Sequence, residues 1–254
     1  MKNSETMKSN QLDLSINDSV NNALNIAFKK VSLLIGDKNA LRELGYAKQI
    51  IAKNPSLQKC SLESITDAII NGSRANLTLN PSLKLSYLIP RKGIASLEIS
   101  YMGLITILKK SGGCKYIEAV LVYQDEHFEY NPAMGTIEHT PHFAKSEEEH
   151  KKRVIVGCYS RAILPSQDVV FCYMPYWELE KVKRVSANSK DANSVWNIWE
   201  EEMIKKSVIK RHFKMLVSDS DVNEIVEALK IEEENHPLEK NNSKTTLFDL
   251  NFDE

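Results

Sequence analysis

The sequence predicts an α+β protein in which helices precede and follow an antiparallel β-sheet that contains a β-hairpin. Apolar residues first recur at helical spacing. They then alternate with polar residues around a Gly-containing turn, and helical spacing returns after Pro175, ending in one long C-terminal helix. The sequence contains no internal repeat, so we expect one α+β core.

The composition is that of a globular protein, with 254 residues, 42% hydrophobic and 26% charged. No apolar run approaches the roughly 20 residues that a membrane-spanning helix needs, and the polar N-terminus lacks the apolar segment of a secretory signal. We therefore expect a cytoplasmic protein with no membrane partner. The four cysteines form no CxxC pair, which favours free thiols over metal ligands or disulfides.

Charge is distributed unevenly along the chain. Residues 1–218 carry 30 Lys and Arg against 23 Asp and Glu, whereas residues 219–254 carry 3 against 11. This indicates a core that binds a polyanion and a tail with a separate role; the alternative is a tail that only improves solubility. We predict a disordered N-terminus (1–17), a core (18–230) and a flexible acidic tail (231–254).

The predicted elements before the sheet are helices. Helical spacing covers residues 23–34 and 41–52, which the sequence GDKN separates, and Ser61 caps a third helix over residues 62–76.

A hairpin and a further helix follow, and each carries two cations. The alternation around PRKG places Arg91 and Lys92 in the hairpin turn. Helical spacing over residues 101–111 then ends at a Gly-Gly pair, just after Lys109 and Lys110. Such pairs indicate either ordinary surface charge or a surface that meets a polyanion.

Five more strands are predicted from alternating or continuously apolar segments. They cover residues 116–123, 127–130, 136–139, 154–164 and 169–173. The charged segment KSEEEHKKR between the third and fourth of them is predicted to be a loop or a sheet-edge extension.

The remaining elements are helices over residues 176–184, 195–217 and 221–229, the first two joined by the linker VSANSKDANS. The long helix has a broad apolar arc, formed by Ile204, Val208, Ile209, His212, Phe213, Met215 and Leu216.

A basic stripe runs along another face of this long helix. Lys206, Lys210 and Lys214 follow each other at i, i+4 and i+8, with Trp196 and Trp199 on the same stripe. Like charges at this spacing destabilise a helix by about 0.2–0.5 kcal/mol per pair, and an anion would turn that cost into attraction. Lys205 and Arg211 add charge near the edges. The pattern fits phosphates with stacked bases, or else a solvated basic face with two core tryptophans.

No catalytic constellation is visible, so we expect a binding protein rather than an enzyme. A GxxxxGK[ST] phosphate loop is absent, which argues against direct use of ATP. His139 and His142 flank a proline without completing a zinc ligand set. Asp125 and Glu126 lie in a turn and lack the Lys-bearing strand motif of a magnesium-dependent nuclease.

Several ordered motifs resemble the RecT family of phage and prophage single-strand annealing proteins. They are NLTLNPSLKLSYLIPRKG, LEISYMGLITILKKSGG, IEAVLVYQDEHFEY with IEHTPHF, and a late helix that carries Trp196, Met203, Lys206 and the Lys210-Arg211 pair. The resemblance runs from about residue 76 to residue 216. The Asp125-Glu126 order and the Lys109-Lys110 pair depart slightly from the family pattern, and lysine cannot contact phosphate bidentately as arginine does.

The resemblance implies ATP-independent binding of single-stranded DNA and annealing of complementary strands in homologous recombination. It also implies that the core (18–230) binds DNA and oligomerises, as a homo-oligomeric ring or helical filament with DNA in a basic groove. The implied DNA partners are the single strand and the annealed duplex intermediate. No cofactor is expected to be required, and Mg²⁺ is expected at most to modulate binding by screening phosphates. The implied phosphate contacts are Arg91, Lys92, Lys109, Lys110, Lys205, Lys206, Lys210 and Arg211, to which the stripe adds Lys214. The candidate stacking residues are Tyr101, Trp196 and Trp199.

Two other functions stay open from the sequence: a single-strand DNA-protecting protein without annealing activity, and a metal-dependent nuclease.

The tail ends in an apolar tip between acidic residues, formed by Leu247, Phe248, Leu250 and Phe252. Such a tip fits a pocket on a partner, for which a host single-strand-binding protein or a phage exonuclease is the expected candidate.

Overall fold

The computed structural model describes residues 18–186, 194–217 and 223–235. It confirms the α+β class, with antiparallel strand pairs between helical segments. The predicted disordered N-terminus, most of the linker VSANSKDANS and the apolar tip of the tail lie outside the described residues. Within the described residues, no helix combines the length and apolar character needed to cross a membrane.

The chain divides into two compact units, Met1–Ser100 and Tyr101–Glu254, where the sequence predicted one core. The boundary falls between a strand and a helix that follow each other without a linker. Each unit is described by itself.

The described residues of unit 1 form four helices and a hairpin. Its elements are α1 (Asp18–Ile35), α2 (Asp37–Lys53), α3 (Pro55–Gln58), α4 (Leu62–Arg74), β1 (Ser86–Arg91) and β2 (Ile94–Ile99). Gly36 separates α1 from α2 at a φ of 78°, which glycine adopts without steric cost. Ser61 caps α4 as predicted, because its side chain accepts a hydrogen bond from the Ser64 backbone N–H.

Unit 2 contains the other strands and helices. Its elements are α5 (Tyr101–Lys110), β3 (Tyr116–Tyr123), β4 (His127–Asn131), β5 (Thr136–Thr140), α6 (Glu147–His150), β6 (Ile155–Ile163), β7 (Val169–Pro175), α7 (Tyr176–Val185), α8 (Val195–Ile198), α9 (Glu200–Leu216) and α10 (Asn223–Asn235). Strands β3, β6 and β7 form one antiparallel sheet in that order, and β4 pairs with β5 in a separate hairpin.

The three-stranded sheet packs against helices on one face. The buried core there contains Leu121, Cys158, Met174, Leu179, Trp196, Ile204 and Val208. The hairpin β4–β5 packs by aromatic contacts: the Phe128 ring centroid lies 5.0 Å from that of Tyr173 and 5.9 Å from that of Tyr159.

Three predicted elements differ in the structure. The long C-terminal helix is broken at Trp199, whose φ of −127° and ψ of 47° are not helical, so α8 and α9 are separate. The segment KSEEEHKKR contains the short helix α6. Helix α10 runs to Asn235, with Ile231 and Glu232 buried, so regular structure continues past residue 231, where the predicted tail begins.

Candidate nucleic-acid interface

The predicted cations of unit 1 lie in the tight turn of the β1–β2 hairpin. Arg91 pairs with Ile94 across the turn, and the two residues between them, Lys92 and Gly93, have φ values of 51° and 81°. Two positive φ values in a two-residue loop match the turn geometry that the twist of a hairpin requires. Arg91 donates to Glu98 across the hairpin at 2.8 Å, and Lys92 is exposed at the tip.

The predicted pair Lys109 and Lys110 lies in the last turn of α5, and both side chains are exposed. The negative end of the helix dipole favours cations at this position, so local helix electrostatics account for part of the pattern. The Lys109 ammonium lies 5.5 Å from the centroid of the Tyr116 ring.

The predicted cations of α9 lie in different environments. Lys210 contacts the carboxylate of the buried Glu232 on α10 at 2.5 Å, and Arg211 pairs with Glu178 on α7. Lys205 pairs with Glu202, one turn earlier, at 3.0 Å. Lys206 is half-buried and Lys214 is exposed. Because Lys210 neutralises a buried carboxylate, its role in this structure is to hold α10 against α9.

The three predicted stacking residues have different environments. Trp196 is only 4% exposed, and its indole N–H donates to Ser186 at 2.9 Å. A base could stack on it only if this core were unpacked, so the predicted stacking role of Trp196 does not hold in this arrangement. Trp199 is 62% exposed. Tyr101 is half-buried and lines a cavity of about 240 Å³ with Lys205, which brings these two predicted residues together.

The exposed tryptophan of α7 is not among the site residues that the sequence predicts. Trp177 on α7 is 56% exposed, and the Lys181 ammonium lies 4.4 Å from the centroid of its ring. The i, i+4 spacing of an aromatic and a lysine on a predicted helix was the available signal.

The histidines and turn acids that the sequence analysis weighed as metal ligands lie together in one hydrogen-bonded cluster. His139 contacts Glu126 at 3.0 Å and His142 contacts Asp125 at 2.7 Å. Arg153 donates to both carboxylates at 2.7–3.1 Å. Arg153 therefore neutralises both carboxylates of this turn.

The charge state of the two acids reflects these contacts. Hydrogen bonds from Arg153 and His142 lower the pKa of Asp125 to about 2. Burial of Glu126 opposes its ionisation, but hydrogen bonds from the backbone N–H of Tyr123 and from Arg153 outweigh burial, and its pKa is lowered.

Another group has the spacing of a metal site. The ligand atoms of His127, Glu129 and Glu138, all exposed on the β4–β5 hairpin, lie within 4.8 Å of one another. Glu129 and Glu138 are direct cross-strand partners, and like charges in such positions repel. A divalent cation would relieve this repulsion.

The region that contains these candidate residues is similar to known proteins. A family model described as the RecT family matches residues 42–246. Protein RecT of Escherichia coli (strain K12) is 27% identical over 196 residues, which are 74% of this chain and 70% of that protein.

Proposed function

The chain belongs to the RecT family, and we propose that it binds single-stranded DNA without ATP and anneals complementary strands in homologous recombination. The match over residues 42–246 carries this proposal, since it includes every predicted site residue. The exposed cations at the hairpin tip and at the end of α5 support it, because phosphate contacts supply most of the affinity for single strands.

The proposed annealing mechanism depends on lysines that bind the phosphates of a single strand. Lysines that neutralise the phosphates of one strand leave its base edges open to a second strand. Base pairing then supplies the sequence specificity, and the protein supplies charge and position. The groove is formed by an oligomer, so affinity accumulates over linked protomers, and very short oligonucleotides bind poorly. Mg²⁺ modulates binding by screening phosphates and takes no chemical part.

An annealing assay separates the three functions that the sequence left open. Complementary labelled oligonucleotides are mixed with the protein, with and without ATP and Mg²⁺. Faster duplex formation without ATP supports annealing. Slower duplex formation with intact strands supports a protecting protein, and shortened strands in the presence of Mg²⁺ support a nuclease. Either of the last two results overturns the proposal.

The hairpin tip provides a sharper test with a matched control. Asn tolerates positive φ, so Lys92→Asn removes the charge and keeps the turn. Lys84 has nearly the same φ, 53°, and is also exposed in unit 1 but is not a predicted contact. We expect Lys92→Asn to reduce the slope of log K against log salt by about 0.7 for single-stranded DNA, and Lys84→Asn to leave it unchanged. Equal slopes for both variants would exclude Lys92 as a phosphate contact.

The C-terminal tail carries a separate proposal. Its acidic residues repel DNA phosphates, whereas its apolar tip suits a pocket with a basic rim. We therefore assign it to contacts with a host single-strand-binding protein or a phage exonuclease, apart from annealing itself.

A further inference from the structure

Helix α7 carries an exposed aromatic residue among polar neighbours. Trp177 is 56% exposed even with the Lys181 ammonium 4.4 Å from its ring centroid. Tryptophan side chains are largely buried on average in folded proteins. A lysine ammonium close to the ring is a cation–π arrangement. The pair combines a flat π surface with a positive charge within one helical turn.

The carboxylates of α7 are already neutralised by arginines. Glu178 pairs with Arg211 and Glu180 pairs with Arg184. Among the described residues, Lys181 has no carboxylate partner. The surface around Trp177 therefore offers an uncompensated ammonium group to a ligand, and this charge suits an anion.

Side chains on both sides of Trp177 and Lys181 along α7 contact α9 or lie in the core. Tyr176, the preceding residue, donates to Glu200 on α9 at 3.2 Å, and Lys183 contacts the same carboxylate at 3.0 Å. Leu179, which lies between Tyr176 and Lys183 along the chain, is fully buried. The α7 backbone on either side of Lys181 is thus fixed to α9, and ligand binding there costs little ordering entropy.

Trp199 provides a contrasting environment. It is also exposed, but its chain neighbours Val195 and Ile198 are exposed and apolar as well, at 58% and 57%. An apolar patch of this kind suits a protein contact, whereas a single aromatic ring beside an ammonium suits a nucleobase with its phosphate.

We propose that Trp177 and Lys181 form a base-stacking site for unpaired nucleotides. A base stacks on the indole ring, and Lys181 contacts the adjacent phosphate. This inference rests on the proposed function, because it names a site at which the bound single strand is held. A duplex has no unpaired base to offer, so the site distinguishes single strands from the annealed product.

The chain contains three tryptophans, which makes intrinsic fluorescence a direct readout. The full-length protein is titrated with a dT oligonucleotide at low salt, and then with the corresponding duplex. We expect quenching by the single strand only, and loss of most of that quenching in Trp177→Phe. Quenching that survives this substitution would place the stacked base on another tryptophan and overturn the site. Trp177→Ala should weaken binding by about 5- to 150-fold, Trp177→Phe should restore much of it, and Lys181→Gln should reduce the salt slope by about 0.7.

Circular dichroism checks that each variant is folded. We expect each variant to fold, because the side chains of Trp177 and Lys181 lie at the surface. Unchanged affinity and quenching in Trp177→Ala, with the Lys92→Asn effect intact, would overturn the stacking site and leave the proposed function standing. A lower sedimenting mass for Trp177→Ala with unchanged quenching would also overturn it and assign the surface to a second copy of the chain. If the parent protein binds no DNA, the proposed function itself fails.

Discussion

At the scale of single residues, burial determines the charge of His212. The side chain is 1% exposed and its Nδ1 lies 2.9 Å from the hydroxyl of the buried Ser160. Burial lowers its pKa to about 4 because the charged form loses its hydration. The sequence placed His212 on the apolar arc of its helix, which is confirmed. Met215 on the same predicted arc is 55% exposed, so that part of the arc was wrong.

This residue predicts an acid-sensitive stability. Between pH 6.5 and about 4 the unfolded chain binds a proton at His212 that the folded chain does not, so the free energy of unfolding falls as the pH falls through that window. The full loss is roughly 3 kcal/mol. Urea unfolding of the parent and of His212→Gln at pH 7 and pH 4.5 measures it. The variant should lose less stability on acidification, and parallel curves would contradict the assignment.

Two glycines predict opposite effects of the same substitution. A Cβ on Gly157 would lie 2.6 Å from the Tyr173 hydroxyl oxygen, whereas a Cβ on Gly45 in α2 would meet nothing within 4 Å. Because Tyr173 packs against Phe128, its ring cannot move freely. Gly157→Ala should destabilise by about 1–3 kcal/mol, and Gly45→Ala should stabilise by about 0.5–1 kcal/mol. Thermal unfolding of both variants checks the signs, and destabilisation by Gly45→Ala would show that helix entropy is not the deciding term.

At the scale of elements, the spacing of apolar residues along the chain predicted most helices and strands of the sheet region. The β1–β2 hairpin, α5 and the strands of unit 2 appear close to their predicted positions because alternation and helical spacing reflect burial directly. The helix α6 also had a local signal: Ser146 caps it by accepting from the Glu149 N–H. Its charged sequence has no apolar periodicity, so hydrophobic spacing does not predict it.

The break at Trp199 had no local signal. Val195 to Leu216 reads as one helix, but Trp196 is buried in the core of unit 2 while Trp199 is exposed. The packing of Trp196 fixes the direction of α8, and tertiary packing overrides helix propensity there. The ion pairs of Lys210 and Arg211 were hidden for a similar reason, because their partners Glu232 and Glu178 lie on other helices.

The Lys210–Glu232 pair predicts a structural rather than a DNA-binding effect. The two side chains are 19% and 6% exposed, so Lys210→Met leaves a buried carboxylate without its cation. Stability should fall by about 3–5 kcal/mol. The matched control is Lys151→Met, which breaks an exposed pair with Glu147 at side-chain exposures of 70% and 78% and should cost under about 0.5 kcal/mol. Urea unfolding compares them. A stable Lys210→Met protein with a reduced salt slope for DNA would instead restore the phosphate role.

At the scale of the whole molecule, the class and family could be predicted from the sequence, but the division into units could not. Ser100 joins β2 to α5 directly, and no Pro-, Gly- or Ser-rich stretch marks the boundary. Domain boundaries are found from sequence mainly through such linkers. The pairs Arg91-Lys92 and Lys109-Lys110, close in sequence, therefore belong to different units.

The tail predicts a separation between activity in vitro and in cells. Helix α10 ends at Asn235, so deletion of residues 241–254 leaves the described elements intact. We expect the truncated protein to anneal oligonucleotides as fast as the parent and to support less recombination in cells. Slower annealing by the purified truncated protein would show that the tail takes part in annealing itself.

The burial of every cysteine makes the chain suited to site-specific labelling. Cys60, Cys114, Cys158 and Cys172 are all free and buried, and burial raises the pKa of the Cys158 thiol to about 12 and that of Cys172 to about 11. Maleimide dyes react with accessible thiolates, so the native protein should remain unlabelled. Met134, 72% exposed at the β4–β5 turn, is a position where one introduced cysteine would carry a single fluorophore. The proposed annealing of DNA strands could then be followed molecule by molecule without removing a native thiol.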